Sequence, residues 1–131
     1  MALTPFRLDD SLISYSDGRR ARRIARSFGE FQNPEHDHLL MVFDFTDDAS
    51  LHADHWERHP GGDEILCVLE GRLLAAVEAD GATQEAEIEE GQAVIFPKAA
   101  WHRLRVIEPG RLLVFTPRAG SELRPLEAPS S

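Results

Sequence analysis

Residues 64–96 read EILCVLEGRLLAAVEADGATQEAEIEEGQAVIF, and the fold class turns on how this stretch breaks. Glu64–Leu69 is a continuous apolar run after its first residue, and Glu70-Gly71 ends it. Arg72–Glu78 follows, then Asp80-Gly81 as a hairpin signal, then Ala82–Ile88. Glu90-Gly91 turns the chain into Ala93–Phe96, which Pro97 closes. Working outward, His38–Thr46 alternates around Met41, Phe43 and Phe45, and Leu51–His59 runs from Asp47-Asp48 to the turn Pro60-Gly61-Gly62-Asp63. On the other side Trp101–Ile107 and Arg111–Thr116 are separated by Pro109-Gly110. Short strands at regular spacing with Gly or Pro turns predict a sandwich or barrel. No segment of this body has the period of a helix long enough to cross a parallel sheet. The fold class is all-β.

The flanks are less patterned. Residues 1–37 form an N-terminal extension in which Leu12–Ser16 reads as a short strand and Asp17-Gly18 as a turn. Gly18–Ser27 fits either a charged strand or a single helix, and Asn33-Pro34 breaks whatever precedes it. Residues 118–131, with two prolines and two terminal serines at the end, are expected to be a loosely ordered tail. The 131 residues are thus expected to form one domain with its core barrel at about 38–117.

Composition narrows the partners. A formal charge of −9 argues against nucleic acid or an anionic membrane, because phosphates would be repelled over most of the surface. The basic run Arg19, Arg20, Arg22, Arg23 and Arg26 reads as a solvated face, or else as a clamp for acids on a second subunit. Cys67 is the only cysteine, so no intrachain disulfide can form and a reducing compartment fits. The N-terminus lacks the apolar core of a signal peptide and no run approaches a membrane span, so a cytoplasmic protein is expected.

Chemistry concentrates around the turn at 60–63. Alternation on a strand points Glu57 and His59 to one face. A tight hairpin then sets His59 opposite Glu64, with Cβ atoms about 4.5–5.5 Å apart. An imidazole and a carboxylate at that spacing can share a metal ion, whose ligand bonds are about 2.0–2.2 Å. His102 lies on a later strand that a closed barrel can bring alongside.

At these residues a family resemblance is visible. Glu57-Arg-His59-Pro-Gly-Gly-Asp-Glu64, then six residues and Gly71, resembles the first cupin motif; Gly91, five residues, Pro97 and Ala100-Trp101-His102 resembles the second. The resemblance implies a cupin double-stranded β-helix, or jelly-roll barrel, with an N-terminal extension. It also implies a metal inside the barrel on ligands from both motifs: His59, Glu64 and His102 by position. The chain departs from the family where it has Glu57 in place of the usual histidine and Ala99 in place of a glycine, and where no asparagine follows His102. Two histidines and two carboxylates make a hard, negative donor set, suited to a divalent ion such as Mn, Fe, Zn or Ni rather than Cu.

The bland reading of the same residues is a buried hydrogen-bonded cluster with the histidines protonated against the carboxylates. His55 shares the parity of Glu57 and His59, and Leu66, Val68, Leu104 and Val106 share that of Glu64 or His102; these five are the candidate pocket lining. His52 has the opposite parity and reads as surface, His36 and His38 as loop, and Trp101 as packing against a neighbouring strand or subunit. There is no phosphate-cradling glycine loop and no Gly-x-Ser-x-Gly elbow, and Cys67 faces away from Glu64. Two functions follow from different classes: a metal-dependent enzyme on a small organic acid or sugar-like molecule, and a non-catalytic cupin that binds a small ligand or serves as an accessory or sensor domain. A DNA-binding regulator is a distant third, since no helix-turn-helix accompanies the barrel. A homodimer is expected, with the apolar head residues Leu12, Ile13, Tyr15, Ile24 and Phe28 laid across a second subunit. In that arrangement the arginine run would face Glu85, Glu87, Glu89 or Glu90 of the partner subunit.

Overall fold

The computed structural model of the chain describes residues 3–16, 20–31, 33, 36–118 and 120–126. In chain order it contains β1 (Ser11–Ser16), β2 (Arg20–Ala25), a one-turn helix α1 (Phe28–Phe31), β3 (His38–Phe45), a 3-10 turn (Asp48–Leu51), β4 (His55–Arg58), β5 (Glu64–Ala79), β6 (Ala82–Glu89), β7 (Ala93–Phe96), β8 (His102–Pro117) and β9 (Glu122–Pro125). All strand pairs are antiparallel, and β5 and β8 form the spine. The far half of β8 pairs with β3 and the near half of β5, which carries β7 on its other edge. The near half of β8 pairs with β4 at His102 and with the far half of β5, which carries β6. Two layers therefore share their two longest strands, which is the all-β jelly-roll barrel with an N-terminal extension. Leu39, Met41, Leu66, Val68, Leu112 and Val114 from one layer meet Leu73, Ala75 and Ile88 from the other in one core. Among the described residues no helix is long and apolar enough to cross a membrane.

Two expected strand ends prove to be bends. Neither Glu70-Gly71 nor Pro109-Gly110 ends a strand: each lies inside a sixteen-residue strand, at the place where the β5–β8 register shifts. Gly71 has φ +88°, and a Cβ there would sit 2.6 Å from the carbonyl oxygen of Pro109. A Cβ on Gly110 would overlap the carbonyl of Glu70. The glycines let two backbones cross in contact, so local turn chemistry here serves a fold corner rather than a loop.

The expected strand Leu51–His59 is also shorter, because Asp47 caps the 3-10 turn in a reciprocal capping box with Ser50. His52, with φ 51°, ends that turn, and Asp48 accepts from the amide of Val106 at 2.7 Å, which pins the turn to β8. The undecided segment before Ser27 is a strand over Arg20–Ala25. The head is tied to its own barrel: β1 pairs with β3 of the same chain, where Ile13, Ser14 and Tyr15 find their backbone partners in Leu40, Leu39 and His38. Of the supposed partners of the arginine run, Glu87 and Glu89 lie beside Arg72 of their own chain. Within the expected loose tail, Glu122–Pro125 pairs with β4 as β9. The turns placed at Asp17-Gly18 and Asn33-Pro34 include positions outside the described residues, as do Arg19 and residues 127–131.

Candidate metal centre

β4 sets Glu57 directly beside His102, the first residue of β8. The turn after β4 returns His59 to Glu64, the first residue of β5, so three strand ends deliver four side chains to one end of the barrel. His59 Nε2 lies 2.9 Å from Glu64 Oε2 and 3.5 Å from Glu57 Oε1, and His102 Nε2 lies 3.3 Å from Glu64 Oε1. The possible ligand atoms of Glu57, His59 and His102 all fall within 4.8 Å of one another. Glu64 sits between the two imidazoles, outside that trio. His59, Glu64 and His102 are buried, and Glu57 is partly open to solvent. His102 is stacked flat on Phe96 at 4.2 Å.

The outward-facing nitrogens decide what the inward ones can do. His102 Nδ1 is 3.2 Å from the carbonyl of Ala100, which only accepts, so this nitrogen carries the proton. His59 Nδ1 is 2.8 Å from Ser121 Oγ, whose own hydroxyl donates to the carbonyls of Pro117 and Arg118. Ser121 is thus left accepting from His59 Nδ1–H. Both neutral rings then present a bare Nε2 lone pair to the cluster, the arrangement by which outer partners orient metal-ligating histidines. His59 Nε2 is buried and has no hydrogen-bond partner among the described residues; its 2.9 Å approach to Glu64 is off the line of a hydrogen bond. A buried, partnerless lone pair costs free energy unless something fills it. The donor set and this orphaned nitrogen fit a divalent cation.

Charge couples the cluster in the absence of an ion. Burial pushes the Glu64 carboxyl up, but the imidazoles of His102 and His59 outweigh it and hold Glu64 well below the usual carboxylate range. Burial pushes His102 down, and the carboxylates of Glu64 and Glu57 overcome it and raise it above its ordinary value. A proton on His102 and a cation at the centre therefore answer the same negative charge. They compete.

A cavity of about 720 Å³ opens beside the cluster, and Glu57, Glu64 and His102 are in its wall. His55, Leu66 and Leu104 line it as well. Val68 is instead fully buried in the core, and Val106 packs against that core. His52, read as surface, stands exposed at the cavity wall, and His36, read as loop, is almost completely buried. Trp101 packs against the guanidinium groups of Arg58 and Arg124, at 4.6 and 4.7 Å from its ring. Ser121 escaped the sequence reading because nothing local marks it; it follows Gly120, whose φ of +73° turns the chain back toward β4. Ala99 has φ +62°, which gives a physical reason for the family's preference for glycine there, and its amide donates to the carbonyl of His59 at 3.1 Å.

A family model described as a cupin domain matches residues 48–116. Among solved structures, the chain is similar to a hydroxypropylphosphonic acid epoxidase from S. wedmorenis, at 17% identity, 87% of this chain, 59% of that one and a TM-score of 0.54. It is similar to the oxalate decarboxylase of Bacillus subtilis at 17% identity, 70% of this chain, 24% of that one and a TM-score of 0.53. A cupin-2 domain containing protein from Shewanella frigidimarina aligns at 21% identity over 63% of this chain and 72% of that one, with a TM-score of 0.49. At these identities the likeness to the first two shows the fold alone. No curated protein sequence matches the chain.

Proposed function

The chain belongs to the cupin domain family, and from that premise we propose that it holds one divalent metal ion at Glu57, His59, Glu64 and His102 and acts there on a small organic molecule. The observation that carries this reading is His59 Nε2, buried, without a hydrogen-bond partner among the described residues, and fixed as a lone-pair donor by Ser121. Two nitrogens and two carboxylates favour Mn, Fe, Zn or Ni over Cu. When bound, the ion would supply a Lewis acid with positions left for a ligand from the cavity. The chain's own residues do the rest. Ser121 and the Ala100 carbonyl hold the two imidazoles, Phe96 keeps the His102 ring flat, and the apolar wall of Leu66 and Leu104 excludes water. Elemental analysis of protein purified without a metal-affinity tag tests this. About one equivalent of a divalent ion in the wild type, absent from His59→Ala, supports the reading; metal-free protein that takes up no added ion sinks it.

A second reading keeps the barrel and drops the ion: a non-catalytic cupin that binds a small ligand, its cluster held by protons. The close approach of Glu64 to both imidazoles favours it, since that carboxylate already answers the histidine charge. The two readings part on the metal content just described.

The chain is further read as a cytoplasmic homodimer. A reducing cytoplasm suits the lone thiol of Cys67. For dimerisation, the sheet face turned away from the barrel is apolar across five strands. Ile13, Leu40, Phe115, Ile65 and Ile95 form one cross-strand row, and Ile95 is 65% exposed. Such a row is unusual on a solvated sheet face and suits a two-fold contact in which one patch serves both copies. Light scattering reads the outcome: a mass near twice 14.7 kDa for the wild type and near 14.7 kDa for Ile95→Asp. A wild-type monomer at micromolar concentration overturns it.

A further inference from the structure

Three arginines line the cavity, of which Arg103 lies over the ring of Trp56 at 5.9 Å. Arg26, just after β2, and Arg118, just after β8, are both half-buried in its wall, and no carboxylate lies within 4.0 Å of either among the described residues. Among the described residues the acid–arginine pairs fall on Arg7, Arg58, Arg72, Arg105, Arg111 and Arg124. The Arg26 and Arg118 guanidinium groups are held by backbone rather than by charge. Arg26 donates from Nη1 to the carbonyls of Val42, at 2.7 Å, and Leu8, at 3.3 Å. Among the described residues the Arg118 side chain donates only from Nε, to the carbonyl of Phe31 at 2.9 Å. Phe31 ties the two together, because Arg26 also lies over its ring at 5.7 Å. One aromatic residue of α1 thus positions two arginines in the wall of the cavity that Glu57, Glu64 and His102 also line. Partly desolvated guanidinium forks with unused N–H donors are the groups that recognise oxyanions bidentately.

The geometry points to a small carboxylic acid with a short apolar body as the occupant, its carboxylate paired by Arg26 and Arg118. The reading of Met41, Phe43, Leu66, Leu104 and Val114 as the wall for that body follows from their place in the same cavity. A singly charged carboxylate suits the cavity better than a phosphate dianion, because Glu57, Glu64 and Glu122 share the wall and repel added negative charge. This inference rests on the proposed use of the cavity, but it needs no metal at the centre.

The test is calorimetric titration of 4-methylpentanoate, its neutral amide and inorganic phosphate into the full chain, once in chelator and once after metal loading. Binding of the carboxylate, with the amide weaker by about tenfold or more, is expected in both conditions. Arg118→Gln should weaken the carboxylate by about tenfold or more while leaving the amide and the metal content unaltered. The Arg118 side chain spends a single hydrogen bond on the fold and its backbone bonds do not depend on the side chain, so this variant keeps its structure; Arg26→Lys, which keeps the charge and loses the fork, provides the second reading and should also weaken binding. Equal affinity for acid and amide, tighter binding of phosphate, or an undiminished carboxylate affinity in Arg118→Gln overturns the inference. Carboxylate binding by a chain that takes up no metal would sink the proposed centre and leave this inference standing. Metal uptake without carboxylate binding would do the reverse.

Discussion

Two buried histidine clusters sit in this small barrel, and they are satisfied in opposite ways. In the N-terminal extension His36 has both ring nitrogens occupied: Nδ1 lies 2.7 Å from the buried hydroxyl of Ser14, and Nε2 lies 2.5 Å from the carboxylate of Glu30. In the barrel His59 has one nitrogen occupied by Ser121 and the other buried without a hydrogen-bond partner among the described residues. The first is a fastener, joining β1, α1 and the approach to β3. The second is a socket. Burial alone does not separate a structural histidine from a ligand; the count of satisfied nitrogens does.

Substitution of the two histidines tests that contrast most sharply. His59→Ala is expected to abolish bound divalent metal, while His36→Ala keeps it and loses stability instead. The loss should be about 2–4 kcal/mol, because Ser14 and Glu30 are left beside an unfilled space. Elemental analysis and urea unfolding of the two variants read these outcomes, and metal loss in His36→Ala would dissolve the distinction.

A smaller effect is expected one step outward. Ser121→Ala removes the acceptor that fixes the His59 tautomer, and metal affinity should fall by about tenfold while the fold persists. Competition with a coloured chelator measures it; unchanged affinity would mean that Ser121 does not orient the ring.

Acidity should act on the socket with a definite sign. Glu64 is depressed from its ordinary 4.5, so its contribution to metal-free stability is present above that value and is lost as pH falls through the depressed one. His102 is raised from its ordinary 6.5, so its contribution is complete below 6.5 and is lost as pH rises through the raised value. Metal-free protein should therefore melt at its highest temperature between those limits and lose some stability above neutrality. Metal retention should move the other way, strengthening as pH rises past the His102 value, because the ligating imidazole must be neutral. Melting curves with and without chelator from pH 5 to 9 give both slopes, and parallel slopes would contradict the competition between proton and ion.

The smallest expected change is at the join between the two motifs. Ala99→Gly relieves a left-handed backbone at φ +62° and should stabilise the chain by less than about 1 kcal/mol, since glycine's extra freedom when unfolded offsets part of the gain. Metal content should not move. A lowered melting temperature would show that the Ala99 methyl group makes a contact worth more than the strain.

The sequence shows some of this plainly and some not at all. Glu57, His59 and Glu64 are legible because strand parity and one short turn bring them together within eight residues, a local relation. His102 is forty-five positions from Glu57, its cross-strand neighbour, and only the motif resemblance picks it out. Ser121 and Arg118 act through contacts that span the fold, and nothing in their neighbours announces them; Arg26 stands out in sequence only as the end of a basic run, whereas the fold half-buries it in the cavity wall. The strand ends read at Glu70-Gly71 and Pro109-Gly110 fail for a related reason. Glycine and proline signal a break locally, whereas the need for glycine here comes from a backbone distant in sequence.

That crossing also constrains how the chain can change. Gly71 and Gly110 each hold open the space that the other strand's backbone fills. Whichever position first gained a side chain would have to part β5 from β8 and would bear nearly the whole cost. The second would then enter a gap already made. Their costs cannot add, and a double-mutant cycle across the corner should show the pair less damaging together than the sum of the two alone. Tolerance at either position is therefore a property of the corner, conferred by whatever the other position already holds.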